Sequence, residues 1–271
     1  RLRTRFLKIP VGVSLTTTPV ADVKAIAAKQ SEVENQPKPT SKQLTAEQYF
    51  SRGIGRDKSD LDGKIADYTE AIRLNSQYAL AYYNRGILRK ATHDLDGAIA
   101  DYTEAIHLNP LATDAYNNRG NARYVKGDLD GAIADYTEAI HLNPKNTYAY
   151  RNRGSVRCDK RDYEGATADY SEAIRLTPQS ANAYNNRADV YLQLHKHTEG
   201  IADCNTAIGL DSNYSVAYYT RGEIYEDKGD HRLAIDDFQR YIDLTRSNPH
   251  PILMPKAEKH VRELKQKLGI K

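Results

Sequence analysis

Apolar residues recur along the chain with the spacing of an amphipathic helix, in two kinds of segment that alternate. In one kind, residues three or four apart share a face and form an apolar stripe; in the copy over 129–142 these are Leu129, Ala132, Tyr136, Ala139 and Leu142. In the other kind, Tyr116, Gly120 and Arg123 follow the same spacing. The tripeptide Lys-Gly-Asp at 126–128 separates the two. The pattern therefore predicts a helix, a short turn and a second helix.

The same helix pair repeats along the chain. The glycine of the first segment, replaced by Ala188 in one unit, returns every 34 residues or a multiple of 34, at Gly86, Gly120, Gly154 and Gly222. Gly53 stands one residue early, which indicates a one-residue deletion in the turn near Ser59. Fixed self-similarity at this period predicts stacked helix pairs rather than a globular domain around one core. Six units cover 46–78, 79–112, 113–146, 147–180, 181–214 and 215–247.

These units resemble the tetratricopeptide repeat family. The 34-residue period, the glycine in the first helix, the Ala…Tyr…Ala spacing in the second helix and a closing proline such as Pro110 or Pro144 all match. The first aromatic column is Tyr where the family often has Trp, and Arg precedes the glycine, a variety similar to the tetratricopeptide proteins common in cyanobacteria. The resemblance implies an all-α fold, a right-handed α-solenoid of six stacked helix-turn-helix units with a C-terminal capping helix.

The two ends of the chain fall outside the repeats. We expect a non-repeat segment at 1–44, the repeats at 45–247 and a capping helix at 248–271. The C-terminal region has one apolar helical face that can cover the open end of a repeat array, formed by Ala257, Val261, Leu264 and Leu268.

The N-terminal segment begins with basic residues and continues into a short, mildly apolar stretch. This outline resembles a secretory or organelle-targeting segment, although Pro, Gly and Thr interrupt the apolar stretch. We expect a cytoplasmic protein whose N-terminal tail has no targeting role. Export through this segment is the alternative, and whether residues 1–30 are cleaved stays open.

Charge and composition narrow the function classes. Residues 45–245 carry 24 Lys and Arg against 31 Asp and Glu, and an acidic body argues against binding a nucleic-acid backbone. The sequence contains no run of 18 apolar residues, so we expect no membrane span. It offers no phosphate-binding glycine loop, no Ser/His/Asp arrangement and no metal cluster, so we expect no enzyme, no metal and no cofactor. His195 and His197 are expected to be exposed turn residues.

Two columns of charged residues recur in all six units. An arginine precedes the first-helix Gly or Ala, and an aspartate lies in the second helix beside its apolar stripe. Because a buried carboxylate needs a partner, we expect the two columns to pair, within one repeat or between neighbouring repeats. The columns are Arg52, Arg85, Arg119, Arg153, Arg187 and Arg221, and Asp67, Asp101, Asp135, Asp169, Asp203 and Asp237.

Four asparagines lie on the first-helix face opposite the one that meets the second helix, because each residue of an α-helix turns by about 100°. This asparagine row consists of Asn84, Asn118, Asn152 and Asn186. The resemblance implies that first helices line the concave side of the array. There, asparagine offers donors and an acceptor to the backbone of an extended peptide; solvated residues copied by repeat duplication are the alternative. Varied residues flank the row: Tyr83, Asn117, Asn121, Arg151, Asn185, Asp189, Tyr219 and Glu223.

We therefore expect a non-catalytic protein-interaction scaffold that binds a peptide or partner segment in its concave groove through the asparagine row. A structural array that self-associates, burying its groove or its ends in a homo-oligomer, is the alternative. The acidic residues on the C-terminal part of the groove predict a basic partner segment there. These residues are Asp189, Glu223, Glu226 and Asp227.

Overall fold

The computed structural model describes residues 44–270, which form thirteen helices and no strand. The expected targeting-like segment lies outside the described residues. The helices are α1 (Ala46–Gly55), α2 (Leu61–Leu74), α3 (Ala79–Ala91), α4 (Leu95–Leu108), α5 (Thr113–Lys126), α6 (Leu129–Leu142), α7 (Thr147–Asp159), α8 (Tyr163–Leu176), α9 (Ala181–Gln193), α10 (His197–Leu210), α11 (Ser215–Lys228), α12 (His231–Thr245) and α13 (Leu253–Leu268).

The helices form pairs, each made of a first and a second helix that contact each other most extensively. The chain divides into two compact units, 1–76 and 77–271. The described part of the first unit holds the pair α1–α2, and the second holds five pairs and α13. Within the second unit, each second helix also contacts the first helix of the following pair. The all-α fold of successive helix pairs with a C-terminal helix is thus confirmed. Among the described helices, none has the length and apolar character needed to span a bilayer.

The turn between paired helices is set by an aspartate in the first four repeats. This residue stands just before the second helix, and its carboxylate accepts a hydrogen bond from the backbone N–H of the glycine three residues later. Such a cap satisfies one of the N–H groups that the start of a helix leaves unpaired. The four capping residues are Asp60, Asp94, Asp128 and Asp162.

The repeated glycine lets the two helices of a pair approach closely. A Cβ atom at Gly120 would lie 2.8 Å from Cε1 of Tyr136, which is itself fully buried. The fifth repeat makes the complementary exchange, since Ala188 stands for the glycine and the smaller Cys204 stands for the tyrosine. The fold therefore requires a matched pair of side-chain volumes at this contact.

The recurrent arginines and aspartates pair within each repeat. In the third repeat, Nε and Nη2 of Arg119 donate to the two carboxylate oxygens of Asp135, at 3.0 and 2.7 Å. The aspartates of all six repeats are only 1–6% exposed. Bidentate contacts satisfy these buried carboxylates, so the expected pairing is confirmed, with partners inside one repeat.

The same arginine also reaches back to the preceding repeat. Nη1 of Arg119 donates to Oγ1 of Thr103 at 3.1 Å, and Nη1 of Arg153 donates to Oγ1 of Thr137 at 3.0 Å. Arg187 and Arg221 make the equivalent bonds to the side chains of Ser171 and Asn205. One arginine therefore joins its own helix pair to the pair before it in four successive repeats.

Helix α13 covers the second helix of the last repeat. Three of the four predicted apolar residues, Ala257, Val261 and Leu264, are buried, together with Leu253 at the start of the helix. Leu268 remains 36% exposed because the helix ends there, at Gly269 in a left-handed conformation. The predicted amphipathic capping helix is present, and its apolar face is shorter than the sequence pattern suggested.

Candidate peptide-binding groove

The asparagine row joins neighbouring first helices. In the third repeat, Nδ2 of Asn118 donates to the hydroxyl of Tyr83 in the second repeat at 2.9 Å. In the fourth, Nδ2 of Asn152 donates to the Oδ1 atoms of Asn121 and Asn117 in the third, at 3.1 and 3.4 Å. The amide nitrogens of these two residues therefore hold adjacent helices together.

The hydrogen-bond partners of the asparagine row differ in the fifth repeat. Nδ2 of Asn186 turns to Oδ1 of Asn182 in its own helix at 3.4 Å, while Nδ2 of Asn182 reaches the hydroxyl of Tyr214 at 3.1 Å. Among residues 44–270, no side-chain hydrogen bond is formed by Asn84, and none is accepted by Oδ1 of Asn118, Asn152 or Asn186. The row thus presents carbonyl oxygens that have no partner in the described part of the chain.

The structure corrects the expectation that this face is entirely free. Asn152 is 6% exposed and Asn185 is 4% exposed, because successive first helices pack against one another. Oδ1 of Asn185 is buried without a hydrogen-bond partner among the described residues. Removing Asn152 therefore affects packing as well as any ligand, which helical spacing within one repeat did not reveal.

Two predicted groove residues lie under the capping helix. Tyr219 is 3% exposed, and its ring centroid lies 5.5 Å from that of Phe238, 5.3 Å from that of Tyr241 and 6.5 Å from that of His260 in α13. Glu223, one turn further along α11, contributes to the negative potential at His260. The expectation that Tyr219 lines an open groove is wrong, since it belongs to the core beneath α13.

Two carboxylates at the acidic end of the surface have histidine partners within the chain. Oε2 of Glu226 lies 2.7 Å from Nδ1 of His260, and Asp227 contacts both His195 and His197. These contacts occupy carboxylate oxygens that a basic partner would otherwise meet. At the centre of the surface, the guanidinium of Arg151 lies over the ring of Tyr148, 5.3 Å from its centroid.

Two charged groove residues escaped the sequence analysis. Lys90 lies seven residues after Tyr83, on the same side of α3, and burial lowers its pKa. Asp114 lies four residues before Asn118 in α5, and burial raises the pKa of its carboxyl group. Helical spacing identifies both positions, but it does not show the surroundings that shift their pKa values towards the neutral forms. Groups shifted in this way are frequent at binding sites.

A further contact that the sequence did not predict joins the third and fourth repeats. The hydroxyl of Tyr124 in α5 donates to Oδ2 of Asp159 in α7 at 2.7 Å. The hydroxyl of Tyr136 donates to Oδ1 of Asn121 at 2.8 Å, so the second helix also supports the row of flanking residues. Together these bonds fix the side chains that border the asparagine row in the third and fourth repeats.

Comparisons with known proteins agree with this architecture. A tetratricopeptide repeat model matches residues 83–147, a TPR repeat model matches 154–195, and a further tetratricopeptide repeat model matches 181–214 and 215–248. No curated protein is significantly similar to the chain.

Solved structures share the fold at low sequence identity. YrrB, described as a TPR protein with an unusual peptide-binding site, is 23% identical with a TM-score of 0.57, over 71% of this chain and 97% of YrrB. PilF of Pseudomonas aeruginosa is 14% identical with a TM-score of 0.65, over 82% of this chain and 97% of PilF. MamA is 23% identical with a TM-score of 0.58, over 63% of this chain and 93% of MamA.

The helix pairs and their period agree with the family models. The matched segments reach from the second to the sixth repeat and include Asn84, Asn118 and Asn186, whereas Asn152 lies between two of them. The chain belongs to the tetratricopeptide repeat family.

Proposed function

We propose that the chain is a non-catalytic protein-interaction scaffold that binds an extended peptide segment along the first helices of its second to fifth repeats. The observation that carries the proposal is the asparagine row, in which the protein holds the amide nitrogens of Asn118, Asn152 and Asn186 and their amide oxygens accept nothing within the described residues. Side chains held in place by their neighbours bind at a lower cost in conformational entropy.

The polarity of the row predicts what it recognises. Free Oδ1 atoms accept hydrogen bonds, so their natural partners are the backbone N–H groups of an extended ligand. Contacts to backbone groups make few demands on ligand sequence. The flanking residues differ between repeats, with Tyr83, Asn117 and Arg151 in comparable places, and they supply the sequence preference.

Other tetratricopeptide proteins support the class of function. YrrB is described as having an unusual peptide-binding site, and another similar structure is the hetero-tetramer of the APC/C subunits Cut9 and Hcn1. Both concern association with other polypeptides. We propose the same class of role for this chain, and we do not infer its partner from the partners of those proteins.

A peptide-array experiment tests the proposal. The full chain is applied to an array of 12-residue peptides of varied sequence, and the affinities of the retained peptides are then measured in solution. The double variant Asn118→Ala plus Asn186→Ala removes two half-buried members of the row and leaves the buried Asn152 in place. Each lost hydrogen bond costs about 1 kcal/mol, so we expect roughly a tenfold or greater loss of affinity for the two together.

Asn213→Ala supplies the matched control, since Asn213 is exposed in the loop after α10 and outside the row. It should bind peptides as tightly as the wild type. Peptides that bind the double variant and Asn213→Ala equally well would show that the row does not contact the ligand. N-methylation of peptide backbone nitrogens should mimic the double variant, because it removes the donors that the row accepts.

Self-association is the second candidate, favoured by apolar side chains exposed at the C-terminal end. Leu233, Ile252 and Ile270 are 47%, 54% and 42% exposed. Exposed apolar groups at the end of an array can continue the stack with a second copy. Light scattering across a hundredfold range of concentration distinguishes the two candidates: a constant monomer mass rejects self-association.

A further inference from the structure

Three potential metal ligands meet where the fifth and sixth repeats join. Nδ1 of His195, in the turn after α9, lies 2.7 Å from Oδ2 of Asp227 near the end of α11. Nε2 of His197, the first residue of α10, lies 2.8 Å from the same oxygen. All three atoms lie within 4.8 Å of one another. The sequence spacing does not reveal this cluster, because Asp227 is 30 residues from His197 and comes close to both histidines only when the two repeats stack.

This junction differs from the equivalent junctions earlier in the chain. Lysine–aspartate pairs join the neighbouring repeats there: Lys126 with Asp96, and Lys160 with Asp130. The fifth repeat instead brings two imidazoles from one repeat against a carboxylate of the next.

The turn itself has also lost a stabilising residue. The aspartate that caps the second helix in the first four repeats is replaced by Lys196, which makes no side-chain capping bond. His195 occupies a left-handed backbone position, with φ of 54°, where the third and sixth repeats have glycine. The turn of the fifth repeat therefore has a weaker helix start and a less favourable backbone conformation than the equivalent turn of the third repeat.

We propose that His195, His197 and Asp227 bind one divalent transition-metal ion of the zinc type. Two imidazole nitrogens and one carboxylate oxygen form a donor set that suits Zn²⁺, with water or a ligand group in the fourth position. Metal–ligand bonds of about 2.0–2.2 Å in a tetrahedral site separate the ligand atoms by about 3.3 Å. Each imidazole nitrogen has to move away from the carboxylate oxygen by about half an ångström, and the two nitrogens, which lie within 4.8 Å of each other, have to settle at the same spacing.

The protonation of the cluster is compatible with metal binding. In the hydrogen-bonded arrangement, Nδ1 of His195 and Nε2 of His197 donate to Asp227; on metal binding, the proton of each neutral ring moves to its other nitrogen. The contacts with His197 and His195 lower the pKa of Asp227, so its carboxylate is ionised at neutral pH. The neighbouring Lys228 does not neutralise it, since its Nζ lies 2.5 Å from Asp230.

The position of the site determines how an ion can reach it and which parts of the chain the ion would join. The side chain of His195 is 73% exposed, which leaves a path for the ion and room for a water ligand. A bound ion would join the turn of the fifth repeat to the first helix of the sixth. Because it binds the folded junction and not the unfolded chain, it would raise the thermal midpoint of unfolding.

The test uses the full chain without an affinity tag, stripped of metal with a chelator and dialysed. Zinc chloride is titrated by calorimetry at pH 7.5, and cobalt chloride is followed by its visible absorption, which reports tetrahedral coordination. We expect one ion per chain, a higher thermal midpoint with zinc, and no comparable effect of magnesium, because Mg²⁺ prefers oxygen ligands. Lowering the pH to 5 should weaken binding at least tenfold, since protonated imidazoles cannot coordinate.

Variants locate the site. His197→Gln, Asp227→Asn and His195→Gln should each weaken zinc binding at least tenfold. Because the side chain of His195 is mainly exposed, we expect His195→Gln to leave folding unaffected. His93→Gln is the matched control, because His93 occupies the same left-handed turn position in the second repeat, with φ of 63°. Circular dichroism without metal establishes that each variant is folded. Binding that is absent, or that persists in His195→Gln and falls in His93→Gln, would overturn the proposal and leave the cluster as a hydrogen-bonded turn.

Discussion

The first four repeats and the last two hold the same buried aspartate in different ways. In the first four, a second arginine one helical turn after the first also contacts it; in the third repeat, Nη1 of Arg123 lies 2.8 Å from Asp135. In the last two, tyrosine replaces the second arginine. The guanidiniums of Arg187 and Arg221 lie over these rings, 5.8 and 5.9 Å from the centroids of Tyr191 and Tyr225.

The difference changes the electrostatics of the carboxylate. Burial raises the pKa of Asp67 in the first repeat, but hydrogen bonds from Arg52 and Arg56 outweigh it, and the net pKa is lowered. Burial also raises the pKa of Asp237 in the sixth repeat, and the single Arg221 does not fully offset it, so the net pKa is raised. Two arginines thus outweigh the desolvation of Asp67, whereas the single Arg221 does not outweigh that of Asp237.

The largest expected effect is on stability, and it separates the two groups of repeats. Arg187→Ala leaves Asp203 buried without its arginine, and breaking such a pair costs about 3–5 kcal/mol. Arg119→Ala should cost less, because Arg123 still contacts Asp135. Urea unfolding followed by circular dichroism measures both. Arg175→Ala, at an exposed pair with Glu172, is the control and should leave the midpoint almost unchanged. Equal losses for the two buried arginines would contradict the role given to the second arginine.

The next effect distinguishes two members of the asparagine row. Asn152→Ala should lower both peptide affinity and thermal stability, because Asn152 is buried and bonded to the preceding repeat. Asn186→Ala should lower affinity alone, since its amide is bonded only within its own helix. Each lost ligand bond costs about 1 kcal/mol, or roughly a fivefold loss of affinity. A stability loss of the same size in both variants would show that the fifth repeat is joined to the fourth through contacts other than those described.

A smaller effect concerns the glycine–tyrosine contact. Gly120→Ala forces a Cβ against the ring of Tyr136, and overpacking of this kind costs about 1–3 kcal/mol, partly offset by the better helix propensity of Ala. Ala188→Gly in the fifth repeat, opposite Cys204, should lose about 1 kcal/mol through helix propensity, and the removal of a buried methyl group adds to this loss. Thermal unfolding compares them. A stabilised Gly120→Ala variant would mean that the tyrosine ring moves aside freely.

The smallest expected effect is a pH dependence at the C-terminal end. Contact with Glu226 raises the pKa of His260 above its usual 6.5, against the opposing effect of burial. The stability that this shift contributes is fully present below pH 6.5 and is lost as the pH rises through the raised value. We therefore expect the wild type to lose stability relative to His260→Gln as the pH rises above about 6.5. His107→Gln, at an exposed histidine of α4, is the control. Parallel pH profiles for wild type and His260→Gln would argue against the ion pair.

The structural features that recur with the 34-residue period could be predicted from the sequence. The helix pairs, the close approach at Gly120 and the pairing of Arg119 with Asp135 follow from residues that keep fixed spacing in every copy. These contacts are internal to one helix pair, so one copy of the repeat contains both partners.

Contacts between repeats were not predictable in the same way. The partner of Asn118 is Tyr83, and the corresponding partners of Asn152 are asparagines, because the flanking residues vary. Tyr219 is buried by α13, whose docking position is outside the period. The cluster at Asp227 likewise depends on how two specific repeats meet. Sequence spacing gives the face of a helix, and only the packed neighbour decides what that face contacts.

The backward hydrogen bond of the recurrent arginine has a consequence for how such a chain can change its length. In each of four repeats the arginine and its partner in the preceding repeat are 16 residues apart. Because the donor of one copy always meets the acceptor of the copy before it, inserting or deleting a whole 34-residue unit leaves every remaining junction with both partners. The segments Leu95–Leu108 and Leu129–Leu142 are identical in sequence, as a duplicated unit would be. Gene duplication can therefore lengthen the array one unit at a time without redesign of the junctions.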